Sequence, residues 1–283
     1  LLMLLFSVKL HWLPAGGWDA TNMLPKLKCL ILPAFTQSLM TDDDLINITV
    51  KWLPSKLTWS NYAVAYRKLM FKSYVWNSAR VAIICTLGHV LSCAMTGYAF
   101  ARYKFRFKGA LFAMVILTML VPVQTVIIPQ YMQFSNWGWL NSEYYLPLVV
   151  PSFLGFGLNG AFFIFLFRQF FSGMPYEMEV AARVDGCGPI RTFLHIMLPM
   201  SQSSLLVCTV LSIVWHWNDY FEPGVYFNSV WLKMLPNSLP NLYAELNKEQ
   251  HTMIQTNDIE GVIFNEAMLM AATFLCILPI LIL

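Results

Sequence analysis

PYEMEVAARVDGCGPIRTFLHIMLP, residues 175–199, is the stretch whose reading decides the fold. It is water-compatible and sits between two long apolar segments, so it must emerge from whatever buries its flanks. Pro175 suits the first position of a helix, where a missing N–H costs nothing. Glu177 and Glu179 then fall in the first turn, where the helix dipole favours negative charge. Glu179 precedes Arg183 by four residues, the order of acid and base that supports a helix. Gly186 stops that helix in a left-handed conformation, and Pro189 can begin another. Met178, Ala181, Ala182 and Asp185 fall along one face, where the paired alanines leave room for another backbone. The reading is a short helix–turn–helix pinned between membrane spans, with a small-residue face presented outside the lipid.

Composition points the same way. The chain is 58% hydrophobic and 12% charged, whereas a soluble domain carries about a quarter charged residues. This is an integral membrane protein. A net charge of +3 is too small to indicate nucleic acid. The six cysteines (29, 85, 93, 187, 208, 276) show no C-x-x-C and no metal-ligand spacing, and most lie in apolar runs as small hydrophobes. No G-x-x-x-x-G-K-[ST] phosphate cradle is present, so any ATP that drives the protein is bound by another subunit. No catalytic residue, metal site or cofactor is expected.

Working outward, Val81–Ala101, Gly109–Ile128, Tyr144–Phe167 and Ile196–Trp217 each read as a span, and a fifth starts near Ala267 and runs to Leu283. Helices are the spanning form, because open sheet edges go unsatisfied in lipid. An apolar run before Trp12 reads as the remnant of a further span, which makes about six, the first and last incomplete. The loop RYKFRFKG carries Arg102, Lys104, Arg106 and Lys108 without an acid and is therefore cytoplasmic. Alternation places 129–143 outside, the loop 168–195 inside and 218–260 outside. The polar, aromatic segment 41–75 reads as extracytoplasmic, with Trp52, Trp59 and Tyr62 at headgroup level. Asp42, Asp43 and Asp44 lack calcium-loop spacing and read as a solvated turn.

The organising stretch resembles the cytoplasmic loop of ATP-binding-cassette importer permeases, whose pattern is E-A-A, a glycine six after the Glu, and I-x-L-P ten after the glycine. Ala181, Ala182, Gly186, Ile196, Leu198 and Pro199 stand in that register. The D-G pair Asp185–Gly186 is of the carbohydrate-uptake, maltose-permease-like type. Residues 1–35, with FSVKLHWLPAGG and LKCLILPAFT, resemble dipeptide and oligopeptide permeases instead, with a join suspected near 33–38.

The resemblance implies an all-α, type I importer permease fold. Residues 1–35 form an atypical N-terminal segment, 36–75 an extracytoplasmic segment, and 76–283 a transmembrane domain holding the coupling loop 168–195. It further implies a multi-pass protein of the bacterial plasma (inner) membrane that moves a sugar or oligosaccharide by alternating access. The implied partners are two ATP-binding subunits, a second homologous permease subunit and an extracytoplasmic solute-binding protein. Coupling to the ATPase is expected at Glu179, Val180, Ala181, Ala182, Asp185 and Gly186. Where the family has its glutamate, position 180 is valine. Three readings follow: Glu179 substitutes from an adjacent angle, coupling is weaker, or the ATPase is adapted. A peptide-type permease, or a carrier or scaffold without an ATPase, is the alternative reading of the chain.

Trp217-Asn218-Asp219-Tyr220 closes the fourth span and resembles the W-N-D-[YF] of carbohydrate permeases. It reads equally as a lining of the sugar path and as an aromatic belt with a helix cap. Asn159, within the third span, either faces the path or bonds a neighbouring helix. Gln124, between Pro122 and Pro129, sits in a kinked span. His89, His195 and His216 are scattered singly and read as hydrogen-bonded histidines. The near-absence of carboxylates from the spans argues against a proton- or sodium-coupled carrier.

Overall fold

Apolar runs punctuated by proline and glycine give helices that break where the backbone requires it. A computed structural model describes residues 35–41, 44, 54–255 and 259–282. Among these the regular structure is entirely helical. The described chain divides into two compact units, Leu1–Ala65 with Lys248–Phe274, and Tyr66–Asn247 with Leu275–Leu283. The segment that resembles a peptide permease lies outside the described residues, except for Phe35.

The second unit carries most of the fold. Its backbone is α2 (Phe71–Arg102), which follows α1 (Ser60–Lys68). At 32 residues, α2 extends about 48 Å at 1.5 Å per residue, more than the hydrocarbon core requires. It is the one described helix that is by itself long and apolar enough to cross a membrane. Ile83, Leu87 and Met95 on α2 are more than half exposed, a surface that water would not tolerate as a contiguous patch.

Three expected spans prove to be broken. Gly109–Ile128 is not one helix: α3 (Lys108–Leu120) and α4 (Val123–Asn136) meet at 100°. Pro122 lies at the break and cannot supply the N–H that a continuing helix needs. Tyr144–Phe167 divides into α5 (Leu146–Phe153) and α6 (Gly160–Ser172). Between them, Gly155 and Asn159 hold left-handed φ of 76° and 57°. Ile196–Trp217 begins earlier, as α8 (Pro189–Met200), and turns by 82° into α9 (Gln202–Asn218). Within α8 the turns widen to a π-helix at Phe193–Met197, just before Pro199, whose ring has no N–H to continue the α-ladder.

The chain then runs through α10 (Phe221–Tyr226), a 3₁₀ turn (Val230–Leu232), α11 (Leu235–Gln255) and α12 (Ile259–Ile282). The fifth expected span thus starts eight residues before Ala267.

Two apolar clusters organise this unit. At one end, Tyr98, Phe163, Phe167, Phe171, Phe193 and Met197 pack α2, α6 and α8 together. Close approach of α2 to α6 depends on Gly97, where an added Cβ would lie 2.6 Å from the Phe167 Cβ and 2.9 Å from the Arg168 nitrogen. At the other end, Val81, Phe134, Tyr145, Tyr226, Phe227 and Met234 gather α2, α4, α10 and the 3₁₀ region. Asn77 Nδ2 fastens that end by donating to the carbonyls of Trp231 (2.8 Å) and Lys233 (3.1 Å).

In the first unit, Asn61 Nδ2 donates to the carbonyls of Ser38 and Met40, each at 3.1 Å. Asp44 is buried and is not the solvated turn residue expected from its sequence. It accepts the Ser55 N–H at 3.0 Å and the Ser55 hydroxyl, and the hydroxyl bond holds its carboxyl below the usual carboxylate range. Asp42 and Asp43 lie outside the described residues.

Candidate coupling site

The expected cytoplasmic helix is α7 (Glu177–Val184). Glu177 and Glu179 occupy its first turn and Arg183 its last, in accord with the helix dipole. Gly186 stops the helix at φ 78°, and the Cys187 N–H returns to the Ala182 carbonyl at 2.9 Å. That is the left-handed stop anticipated from the sequence. No atom lies within 4 Å of the position a Cβ would take on Gly186, so its requirement is conformational rather than spatial. Pro189 then starts α8.

The faces of α7 differ from the expectation. Glu179 and Ala182, three apart, are the buried pair, each 2% exposed. Ala181 and Asp185 are exposed, as are Val180 and Val184, the last at 82%. The two alanines therefore do not share an outer surface: Ala182 packs inward, and the outward face is apolar and branched rather than small. Tyr176 and Ile190 extend it on either side.

Glu179 also departs from expectation. It does not point outward in place of the absent glutamate at 180. One oxygen lies 3.3 Å from Arg102 Nε at the end of α2, and the other lies 3.6 Å from Arg183 Nη2 one turn along α7. Arg102 is itself largely buried, and its Nη2 donates to the Met174 carbonyl at 2.5 Å, in the segment leading into α7. One guanidinium thus ties the end of α2 to both the approach and the first turn of α7. A buried ion pair of this kind adds little net stability over apolar packing, but removing one partner strands the other charge. Beside it, Lys108 Nζ donates to the carbonyls of Ala101 (3.3 Å) and Tyr103 (3.0 Å), and the Arg168 guanidinium lies 4.0 Å from the Phe112 ring centroid. The basic loop RYKFRFKG is partly consumed in capping α2.

At the far end of α9 the sequence W-N-D-Y is split by its environment. Trp217 is buried. Asn218 is exposed, and its Nδ2 donates back to the Val214 carbonyl at 2.9 Å. Asp219 Oδ1 accepts the N–H groups of Phe221 (3.0 Å) and Glu222 (3.4 Å), so it serves as the cap of α10. Burial pushes the Asp219 carboxyl up to about 6 and the Glu222 carboxyl up to about 7, the latter also raised by the charge of Asp219.

Asn159 is exposed and is not within a continuous helix; it begins α6, where its carbonyl accepts the N–H of Phe162 at 3.0 Å. His89 and His216, 127 residues apart in sequence, are brought together with perpendicular rings 5.5 Å apart, a neighbourhood that no spacing rule reveals. His195 is exposed. Among the described residues, no three His, Cys, Asp or Glu side chains converge as metal ligands.

A short inward-tied helix between bent, apolar helices is an arrangement that known families can test. Residues 93–283 match the family described as binding-protein-dependent transport system inner membrane component. The chain belongs to that family. This permease is 34% identical over 194 residues to a probable ABC transporter permease protein of Pyrococcus horikoshii, covering 68% of each chain. It is 29% identical to the sn-glycerol-3-phosphate transport system permease protein UgpE of Yersinia enterocolitica, over 67% of each. It is 28% identical to the probable starch degradation products transport system permease protein AmyC of Thermoanaerobacterium thermosulfurigenes, over 70% of each. In fold it resembles a chain of a bacterial ABC transporter involved in the import of the acidic polysaccharide alginate. That likeness has a TM-score of 0.73 at 19% identity and covers 95% of this chain and 96% of the other. The permease is thus a component of a transport system.

Proposed function

We propose that this chain is one permease subunit of an ATP-binding-cassette importer that carries a sugar or oligosaccharide across the plasma membrane by alternating access. ATP hydrolysis falls to a pair of separate ATPase subunits, and a second homologous permease and an extracytoplasmic solute-binding protein complete the assembly. The observation that carries the reading is the two-sided character of α7. Its inner side is pinned to α2 through Glu179 and Arg102, and its outer side leaves Val180 and Val184 open. Such a helix is a rigid lever: a partner that grips the outer side moves α2 with it. Glu179 and Ala182 fix the lever, Val180, Ala181 and Asp185 face the partner, and Gly186 sets the turn that returns the chain to α8. The names of the relatives in glycerol phosphate and starch-product transport favour a carbohydrate-type substrate over a peptide.

The test is a charge on the outer side. Val184→Asp touches nothing inside the fold, so the subunit folds and inserts normally. Co-purification of the ATPase and transport are both expected to fall sharply. Full ATPase retention together with wild-type transport would refute the coupling role of this face.

A further inference from the structure

The basic connection between α2 and α3 carries charge that the coupling site does not use. Arg102 pairs with Glu179, and Lys108 is held by two carbonyls at the end of α2. Lys104 and Arg106 are exposed, and among the described residues neither has an acidic partner. Arg168, on α6, likewise pairs with no carboxylate there; its guanidinium rests on the Phe112 ring of α3. Arg168 and Lys104 lie near enough to Lys108 to repel its charge. Lys104, Arg106, Lys108 and Arg168 thus gather without an acid among them. Like charges held together without a counterion favour an anion.

The kind of anion follows from the apolar surface beside these charges. Phe107 is 66% exposed, and the Arg106 guanidinium lies 4.9 Å from its ring centroid. Its φ is 63°, a left-handed conformation that a bulky residue seldom adopts, so the ring is presented outward at a local cost. Positions 107, 111 and 114 share one face at helical spacing, and Leu111 and Met114 are exposed as well. Free phosphate has no use for such a stripe, nor has an acidic protein surface. Bases above an apolar track match the phosphate and acyl chain of a phospholipid. The excess of positive charge puts this loop on the cytoplasmic side, where basic pockets between spans receive anionic headgroups.

We propose that the α2–α3 connection is a binding site for an anionic phospholipid of the cytoplasmic leaflet. Lys104 and Arg106 meet its phosphate, with Lys108 and Arg168 beside them as fixed charges. An acyl chain follows Phe107, Leu111 and Met114 along α3. The inference needs only that the chain lies in a membrane and is independent of what it transports. Each basic group near an anionic lipid surface is worth about fivefold in binding.

The experiment is native mass spectrometry of the assembled transporter in neutral detergent, with equal amounts of phosphatidylglycerol and phosphatidylethanolamine of matched chains. Phosphatidylglycerol is expected to be retained in preference by about tenfold. Lys104→Gln with Arg106→Gln should reduce that preference to about twofold. Lys56→Gln with Lys72→Gln removes two exposed charges elsewhere and should leave it unchanged. Phe107→Asn keeps a residue that tolerates left-handed φ, so the unfolding midpoint should hold. Its loss of the apolar ring should still lower lipid retention by about threefold. Inorganic phosphate at millimolar concentration should not displace the lipid. Equal retention of the two lipids by the wild type would overturn the proposal, as would equal effects of the two double variants. So would retention unchanged by Phe107→Asn, or displacement by inorganic phosphate. Loss of an ATPase subunit rather than of lipid from the Lys104→Gln, Arg106→Gln variant would assign the charges to a protein interface and overturn it as well.

Discussion

Removing the Glu179 carboxylate is the most informative perturbation, because two roles for it predict opposite results. In the structure Glu179 is 2% exposed and its Arg102 partner lies 3.3 Å away with a side chain only 9% exposed. At an effective dielectric of about 20, two unit charges at that distance attract by about 5 kcal/mol. Desolvation cancels much of this while the pair is intact, but Glu179→Ala leaves the guanidinium buried beside a single carbonyl acceptor. Breaking a buried pair costs about 3–5 kcal/mol. The bond from Arg102 to the Met174 carbonyl persists and moves the expected cost to the lower end, about 3 kcal/mol. Arg183, 56% exposed, offers the other contact, and Arg183→Ala should cost under about 1 kcal/mol. The assay is a double-mutant cycle on the purified transporter, with thermal unfolding and binding-protein-stimulated ATPase activity read together. Glu179→Ala is expected to lower the unfolding midpoint and uncouple the ATPase together, and Arg102→Met with Glu179→Leu should recover the midpoint. If Glu179→Ala abolishes stimulated ATPase activity while the midpoint holds, the carboxylate works on the partner rather than on α2, and the lever argument fails.

Three further outcomes follow from the same geometry. Gly97→Val should disrupt packing of α2 against α6, because its first atom already lies inside contact distance of Phe167 and the Arg168 backbone. Gly109→Ala, with nothing within 4 Å, should leave the unfolding midpoint within error; equal effects in the two variants would contradict the packing. At Gly186 the space is open but φ is 78°. Gly186→Ala should therefore cost about 1–2 kcal/mol of left-handed strain, and Gly186→Val more, with stimulated ATPase activity falling in the same order. Finally, the raised carboxyls make the fold hold protons that the unfolded chain has released, between 3.8 and about 6 for Asp219 and between 4.5 and about 7 for Glu222. Stability therefore declines as pH rises from about 4 to about 7. Glu222→Gln should flatten the upper part of that limb in unfolding measured across pH 4–8, and an unchanged slope would place its carboxyl in water.

Charge and turn chemistry made α7 legible in advance. The acids of its first turn, Arg183 in its last, the stop at Gly186 and the restart at Pro189 are all local, acting within a few residues of the backbone they control. Apolar length likewise marks α2 as a span, since hydropathy sums along the chain regardless of neighbours. The breaks in the other spans were less legible. Pro122 signals a kink without stating an angle, and neither Gly155 nor Asn159 announces a left-handed residue inside an apolar run.

That the chain is a helical membrane protein with a short polar helix between spans follows from hydrophobic length, helix caps and proline, all of them local properties. Tertiary structure alone decided which way that helix faces. Glu179 turns inward because Arg102, 77 residues earlier, arrives buried at the end of α2 with its charge needing a partner. It likewise decided that His216, Asp219, Glu222 and Gln130 share one cleft, which depends on how the bent helices meet. Burial and charge pairing are set by distances between segments, and those exist only once the helices have packed.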